Sequence, residues 1–252
     1  YEWSDAGFSR PSVNELIIYE LHVGDFGADE NGYGDFDYLI SKIESGYFND
    51  LGINAIELMP VNEFEGEYSW GYNPSFYMAP ESSYGTPDKL RELVDKAHEN
   101  GIAVLMDVVY NHTWGSSPLF QLYQPNDNYE WQDHDFENCP YFDNESSLWG
   151  YKLEHWHNVS GREYRGWKYV INSLETWVND YHIDGFRFDY TPGIGWGGGS
   201  DGVSFYGDYL RNLDSDLILI AEEDNSFQIN QTDFDSGWDY SYFHTLDANL
   251  LE

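Results

Sequence analysis

Positive charge is the scarcest resource of this chain. Lysine and arginine together number 11 in 252 residues, against 46 aspartates and glutamates, for a formal net charge of −35. A surface this negative repels nucleic acid and anionic membranes, so neither is an expected partner, and a neutral substrate fits better than a phosphorylated one. Cysteine is almost absent: Cys139 stands alone, which excludes an internal disulfide framework and a cysteine-rich metal cage. No apolar run approaches the roughly 18 residues of a membrane span. No glycine-rich phosphate loop follows the first strand-like segment, which weakens any nucleotide-binding reading. Histidines are scattered, with no His-x-His at a strand end; His155-x-His157 lies in a loop and reads as structural, which weakens a metal-dependent hydrolase.

Aromatic residues, by contrast, are abundant at 19%, with 10 Trp and 22 Tyr. Many sit in polar, glycine-containing stretches such as Tyr68-Ser-Trp70-Gly-Tyr72 and Gly195-Trp-Gly197. Rings held in loops suit stacking on flat apolar faces such as those of sugars.

Short apolar runs alternate with helical patterns. Leu16–Val23, Ala55–Val61, Ala103–Tyr110, Gly185–Tyr190 and Leu217–Ala221 read as strands, and Trp238–Phe243 as the start of a sixth. Between them, Leu39, Ile43, Tyr47 and Leu51 form a stripe of spacing four that Gly52 ends. Thr86-Pro87 offers an N-cap and a first-turn proline for a helix with Leu90, Leu93, Val94 and Ala97 on one face, closed by Gly101. Val170 or Ile171, Leu174, Val178 and Tyr181 form a further helical face. Repetition of strand, helix, strand implies parallel βαβ units, either an open doubly wound sheet or a (β/α)8 barrel. Polar residues cluster where strands end (His22, Asn62, Asn111, Asp189, Glu222), the rim where barrel enzymes place their chemistry. The expected fold is therefore an incomplete (β/α)8 TIM barrel with about six of its eight strands, spanning 15–252 and cut short at the C-terminus. A long excursion over about 112–165 follows the third strand. Residues 1–14 read as a linker or the trailing edge of a preceding module. An incomplete barrel is also expected to expose an edge strand.

Three strand ends carry the chemistry. In Asp184-Gly-Phe-Arg187-Phe-Asp189, side chains alternate faces, so Phe186 and Phe188 share one and Arg187 and Asp189 the other. An arginine beside a carboxylate keeps it ionised, as a glycosidase nucleophile requires. Ile218-Leu-Ile-Ala-Glu222-Glu223 delivers a second carboxyl to the same rim, where a protonated acid would serve a leaving sugar oxygen. Alternation alone leaves Glu222 and Glu223 open. In Asp107-Val-Val-Tyr-Asn111-His112, Asp107 and Asn111 share a parity, their oxygens suit a hard cation such as calcium, and His112 could donate to a sugar hydroxyl.

Taken together and in this order, these segments resemble the signature stretches of glycoside hydrolase family 13, the α-amylase family. Ile18-Tyr-Glu-Leu-His-Val23, Glu57-Leu-Met-Pro60, Trp70-Gly-Tyr72-Asn-Pro74 and Tyr84-Gly-Thr86-Pro add to the likeness, which is greatest toward branching enzymes and trehalohydrolases. The resemblance implies a retaining enzyme acting on α-1,4-glucans by double displacement, with no cofactor required for the chemistry. It implies Asp189 as nucleophile, Glu222 as acid/base, and Arg187 holding Asp189. His112, Tyr72 and Trp70 would line the sugar site above a floor supported by Asp107, and Asn111 would be a ligand of a structural Ca2+. Two features depart from the family pattern. No His-Asp pair follows Glu222 to supply the family's third carboxylate; His244-Thr-Leu-Asp247 has the wrong pattern. The stretch His157-Asn-Val159 lacks the family's usual aspartate, which bears on the calcium site. Hydrolysis, branching transfer and a non-catalytic sugar-binding role all remain compatible with the sequence.

Overall fold

The computed structural model describes residues 1–29, 32–123, 139–147, 149–197, 200–242 and 244–245. Its centre is a parallel sheet of six strands in chain order: β1 (Ile18–Leu21), β2 (Ala55–Leu58), β3 (Ala103–Val108), β4 (Gly185–Phe188), β5 (Ile218–Ala221) and β6 (Ser236–Gly237). The sheet curls into a half-barrel, the incomplete form of a (β/α)8 barrel. Helices α1 (Phe36–Glu44), α2 (Tyr47–Leu51), α3 (Pro87–Glu99), α4 (Gly166–Tyr181) and α5 (Gly202–Leu213) lie between the strands in sequence. The excursion after β3 carries short antiparallel ladders, among them His112–Thr113 with Tyr151–Leu153.

Alternation along the strands sorts the core into two sets. The outward residues Ile56, Leu58, Val104, Met106, Val108, Phe186, Phe188, Leu219 and Ala221 join one large cluster with the helices. The inward residues Leu105, Ile218 and Ile220 form a second, smaller cluster. Above them the inward positions turn polar. Arg187 on β4 is the direct register partner of Asp107 on β3, so two charges face each other before any side-chain rotation is considered.

Helix α3 begins as its capping residues require: Thr86 Oγ1 accepts from the Lys89 backbone N–H at 3.3 Å and Pro87 occupies the first turn. Two sequence expectations need correction. The stripe Leu39, Ile43, Tyr47, Leu51 is not one helix. Gly46 adopts a left-handed conformation (φ 78°) that breaks it into α1 and α2, leaving Leu39 and Ile43 buried but Tyr47 and Leu51 exposed. The sixth strand lies at Ser236–Gly237, ahead of Trp238. Residues 240–242 are helical, and Asp239 Oδ1 accepts from the Tyr242 N–H at 2.9 Å in the manner of a cap. Asp247 lies outside the described residues.

Residues 1–14 pack under the amino-terminal ends of the strands. Arg10 spans Asp184 (2.7 Å) and Asp214 (2.6 Å), which precede β4 and β5. Trp3 stacks on His182 and Phe8 on His98 at ring separations of 3.7 and 4.0 Å. His98 is buried between two acids, its Nδ1 donating to Asp5 (3.1 Å) and its Nε2 to Asp184 (2.8 Å). Burial opposes the imidazolium, but the bonds to Asp184 and then Asp5 outweigh it and raise the His98 pKa. Burial also opposes ionised Asp5, yet His182 and His98 hold its pKa below the usual range. The His98 contribution is therefore complete below the unfolded value near 6.5 and is lost as pH rises through the raised folded value. The Asp5 contribution is lost in the opposite direction, as pH falls through its lowered value. His98→Gln should lower Tm by roughly 4–8 °C at pH 6, for about 2 kcal/mol of charged hydrogen bonds, and flatten the decline of Tm above neutrality. Scanning calorimetry across pH checks this; parallel Tm–pH curves for the two proteins would refute the clamp.

Candidate active site

The inward positions at the carboxyl ends of β3, β4 and β5 converge on one guanidinium. Arg187 Nη1 donates to Asp107 Oδ1 and Oδ2 at 2.8 and 2.7 Å and to Asp189 Oδ1 at 3.1 Å. Its Nη2 lies 3.0 Å from Glu222 Oε2. Asp107 is fully buried and Arg187 nearly so, whereas Asp189 and Glu222 are partly open to solvent. Asp189 and Glu222 thus share one cation from adjacent strands, each within ion-pairing distance of a different guanidinium nitrogen. Glu223 turns elsewhere: its Oε1 accepts from the N–H groups of Asp224 (2.9 Å) and Asn225 (3.0 Å) in its own loop.

Backbone geometry aims the two acids. The Asp189 N–H donates to Val108 O at 3.0 Å, extending the β3–β4 ladder by one residue. Tyr190 then takes a left-handed conformation (φ 39°, ψ 63°), costly for a residue with a large side chain. In that conformation its N–H donates to Glu222 Oε2 at 2.7 Å. Strain at one residue thereby ties the tip of β4 to the carboxyl of β5.

The other predicted residues gather around this centre. The Tyr72 hydroxyl donates to Asp107 Oδ2 at 2.8 Å. Tyr72 is placed by Gly71, whose φ of 92° no other residue adopts readily and where a Cβ would lie 2.4 Å from Pro60 O. His112 is buried with Nε2 2.8 Å from the Tyr72 carbonyl and Nδ1 2.6 Å from Asn111 Oδ1. Both its ring nitrogens therefore face protein atoms, and it orders Tyr72 and Asn111. Burial pushes its imidazole down to about 4, against the Tyr72 carbonyl bond, so it is neutral at pH 7. Trp70, 59% exposed, stands away from the carboxylates on the same loop as Tyr72.

Asn111 does not offer a cation site. Its amide donates to Asp189 Oδ2 at 2.8 Å and its oxygen faces His112. Among the described residues no group of three or more His, Cys, Asp or Glu could hold a metal ion. The residues present do not fit calcium here. His155 and His157 diverge, to Tyr206 (2.7 Å) and Asp201 (2.7 Å) respectively.

Several residues at the site escape sequence reasoning. The Trp238 ring lies 4.7 Å from the Arg187 guanidinium carbon, and the Tyr240 hydroxyl is 3.4 Å from Glu222 Oε1. Both fall in the segment read as a strand, and nothing in their spacing marks them. Trp149, from the excursion, meets Tyr190 edge to face at 4.8 Å. Glu57 was within reach of the alternation argument: it is the β2 register partner of Glu20 and Leu105, hence inward. Its side chain is buried, and the carboxyl makes no hydrogen bond among the described residues. Burial first and Glu20 second push its carboxyl up to about 7, against the pull of Arg187.

One cation cannot neutralise three carboxylates. Burial, with the Asp189 charge adding to it, pushes Asp107 up to about 8 despite Arg187. Burial likewise pushes Asp189 up to about 6, with Arg187 opposing and Glu222 adding to the rise. Arginine alone therefore does not keep Asp189 acidic, although at pH 7 it is still mostly ionised. Carbon-13 NMR of the Asp189 carboxyl should show a midpoint near 6 rather than the ordinary value of about 3.9, and Glu222→Gln should bring it down by removing the like charge. A midpoint near 4 in both proteins would contradict this electrostatic account.

Known proteins resemble this chain over most of its length. Residues 26–203 match the model of the alpha amylase catalytic domain. A malto-oligosyltrehalose trehalohydrolase of Saccharolobus solfataricus is 31% identical over 99% of the chain and 41% of its own length. A 1,4-alpha-glucan branching enzyme of Picrophilus torridus is 29% identical over 98% of the chain and 37% of its own length. The crystal structure of a putative alpha amylase from Salmonella typhimurium superimposes with a TM-score of 0.72 at 28% identity, covering 88% of this chain and 34% of that one. The chain thus spans about 40% of the length of these curated relatives. With a matching catalytic-domain model over most of its length and the half-barrel that carries it, this chain belongs to the alpha-amylase family.

Proposed function

We propose that this chain carries the catalytic pair of a retaining glycoside hydrolase acting on α-1,4-glucans such as starch, glycogen or maltooligosaccharides. The observation that carries the reading is the meeting of Asp189 and Glu222 across Arg187, with Nη1 at 3.1 Å from one and Nη2 at 3.0 Å from the other. Two carboxyls held by the two nitrogens of one guanidinium suit direct attack on the sugar by one of them, the retaining arrangement.

The chemistry proceeds in two displacements. Protonated Glu222 gives its proton to the glycosidic oxygen as the bond from that oxygen to the anomeric carbon breaks. Asp189 attacks the same carbon from the opposite face, forming a β-glycosyl ester. Glu222, now a carboxylate, takes a proton from an incoming hydroxyl, which attacks the anomeric carbon and releases Asp189. Arg187 stabilises Asp189 as leaving group, Tyr72 stacks beneath the sugar in the cleaved subsite, and His112 holds Tyr72 and Asn111 in place around it. Water as acceptor gives hydrolysis; a glucan hydroxyl gives branching. Both mechanisms use the same residues, and the likeness to trehalohydrolases favours water, while the branching-enzyme relative keeps transfer as the second reading. Incubation with amylose distinguishes them: hydrolysis releases new reducing ends, whereas transfer creates α-1,6 branches without them.

Asp189→Asn should abolish trapping of a fluorinated α-glucosyl donor as a covalent adduct, read by intact-protein mass spectrometry. An adduct formed at the unaltered rate would remove Asp189 from the nucleophile's role. Glu222→Gln should cut turnover of starch by roughly 10³-fold or more while sparing donors whose leaving group needs no proton, since general acid catalysis contributes about 10²–10⁴-fold. Equal losses on both donor types, with the selective loss appearing in Glu223→Gln, would transfer the acid to Glu223.

A further inference from the structure

The loop that delivers Tyr72 carries a second aromatic feature that the catalytic chemistry does not use. The Tyr33 and Tyr68 rings stack face to face at 4.4 Å and 23°. Tyr33 is 61% exposed and Tyr68 42%, and Trp70, two residues along the same loop, is 59% exposed. The stacked pair is also held in place. The Tyr68 hydroxyl donates to Asp25 Oδ1 at 2.7 Å. The edge of the Tyr68 ring meets buried His22 at 5.7 Å and 89°. His22, at the tip of β1, is itself fixed by bonds to the Ser69 carbonyl (2.9 Å), Tyr84 (2.8 Å) and the Asp25 N–H (3.1 Å). An aromatic group that is ordered without being buried forfeits its hydrophobic stabilisation in the free protein. A ligand that covers it recovers that term with little further loss of side-chain freedom.

We infer that Tyr33, Tyr68 and Trp70 form a glucan-binding ledge remote from the bond-breaking centre, whose occupant is a distal stretch of the same α-glucan chain. This rests on the function proposed above and extends it to chain-length preference. Three observations select the occupant. The rings present flat apolar faces with hydroxyls and the Asp25 carboxylate at their rim, which matches the alternating C–H faces and hydroxyl edges of pyranose rings. The surrounding charge of −35 rejects anionic ligands. The ledge is continuous with the catalytic floor, because Trp70 is two residues from Tyr72 and Tyr72 donates to Asp107. Strands β1 and β2 stand two to three sheet positions from Asp189 on β4, roughly 10–15 Å at strand spacing. A glucan long enough to cross that distance from Asp189 reaches the ledge, and a shorter one does not.

The test is a binding series on the full gene product, with maltoheptaose and maltose as probes, read by titration calorimetry with circular dichroism as the folding control. Tyr33→Ala combined with Tyr68→Ala should weaken maltoheptaose binding roughly tenfold, or ~1.4 kcal/mol, and leave maltose binding within about twofold. Tyr33→Phe, which keeps the ring, should retain maltoheptaose affinity. Unchanged maltoheptaose binding in the double variant, or an equal loss for maltose, overturns the ledge. So does a wild-type protein that binds no α-glucan. Donor trapping in Asp189→Asn, by contrast, sinks the catalytic assignment and leaves the binding series to be judged independently.

Discussion

A single buried positive charge organises the rim of this barrel. Arg187 is almost wholly inside the protein and touches Asp107, Asp189 and Glu222 at once, with a tryptophan face against its plane. The arrangement follows from register. Parallel pairing sets Arg187 level with Asp107, and the two-residue repeat carries Asp189 to the next inward position up the strand. Burying an ion is costly unless its partners are excellent; here the planar fork of the guanidinium serves three acids with two nitrogens. The excess of negative charge that remains is not an imperfection of the site. Burial, with that excess charge adding to it, raises the proton affinity of Asp107 and Asp189.

Much of this was legible beforehand because it is carried by strict periodicities. The alternation in Gly185–Phe188 separates the core phenylalanines from Arg187 and Asp189, and the Thr86-Pro87 pair marks the start of its helix to the residue. What escaped depends on backbone conformation or on distant segments. Gly46 keeps the four-residue spacing of Leu39, Ile43, Tyr47 and Leu51 intact in the sequence while redirecting the chain, so a count of residues cannot detect the break. The left-handed turn at Tyr190 has no compositional marker, since nothing about a tyrosine announces a positive φ. Trp238 and Tyr240 are brought to Arg187 and Glu222 by the curl of the sheet, a long-range fact that local pattern does not encode. Asn111 was correctly placed at the rim by parity, but its partners, Asp189 and His112, are themselves members of the site and occupy both ends of its amide.

The two ends of β4 divide the labour of the fold. At its root, Asp184 accepts from Arg10, His98 and the Val104 N–H, in a nearly dry network that ties the amino-terminal segment to the barrel floor. At its tip, five residues on, Asp189 stands partly open to solvent. The residue type is the same and the outcome differs. The root acid is surrounded by donors, while the tip acid must share its donors with Glu222. This is the barrel pattern of stability at one face and chemistry at the other, written in a single strand.

The scarcity of cations has a colloidal consequence. Among the described residues, Arg10, Lys89, Arg91, Lys96, Arg187 and Arg211 are each engaged with carboxylates of their own chain. Their charge is spent internally, and a neighbouring molecule meets an almost uniformly anionic exterior. Among the described residues β1 and β6 are the outermost strands of the sheet. Mutual repulsion holds such neighbours apart only as far as the Debye length allows, about 30 Å in 0.01 M salt and about 3 Å in 1 M. Salt thus decides how closely like-charged copies of the protein approach one another.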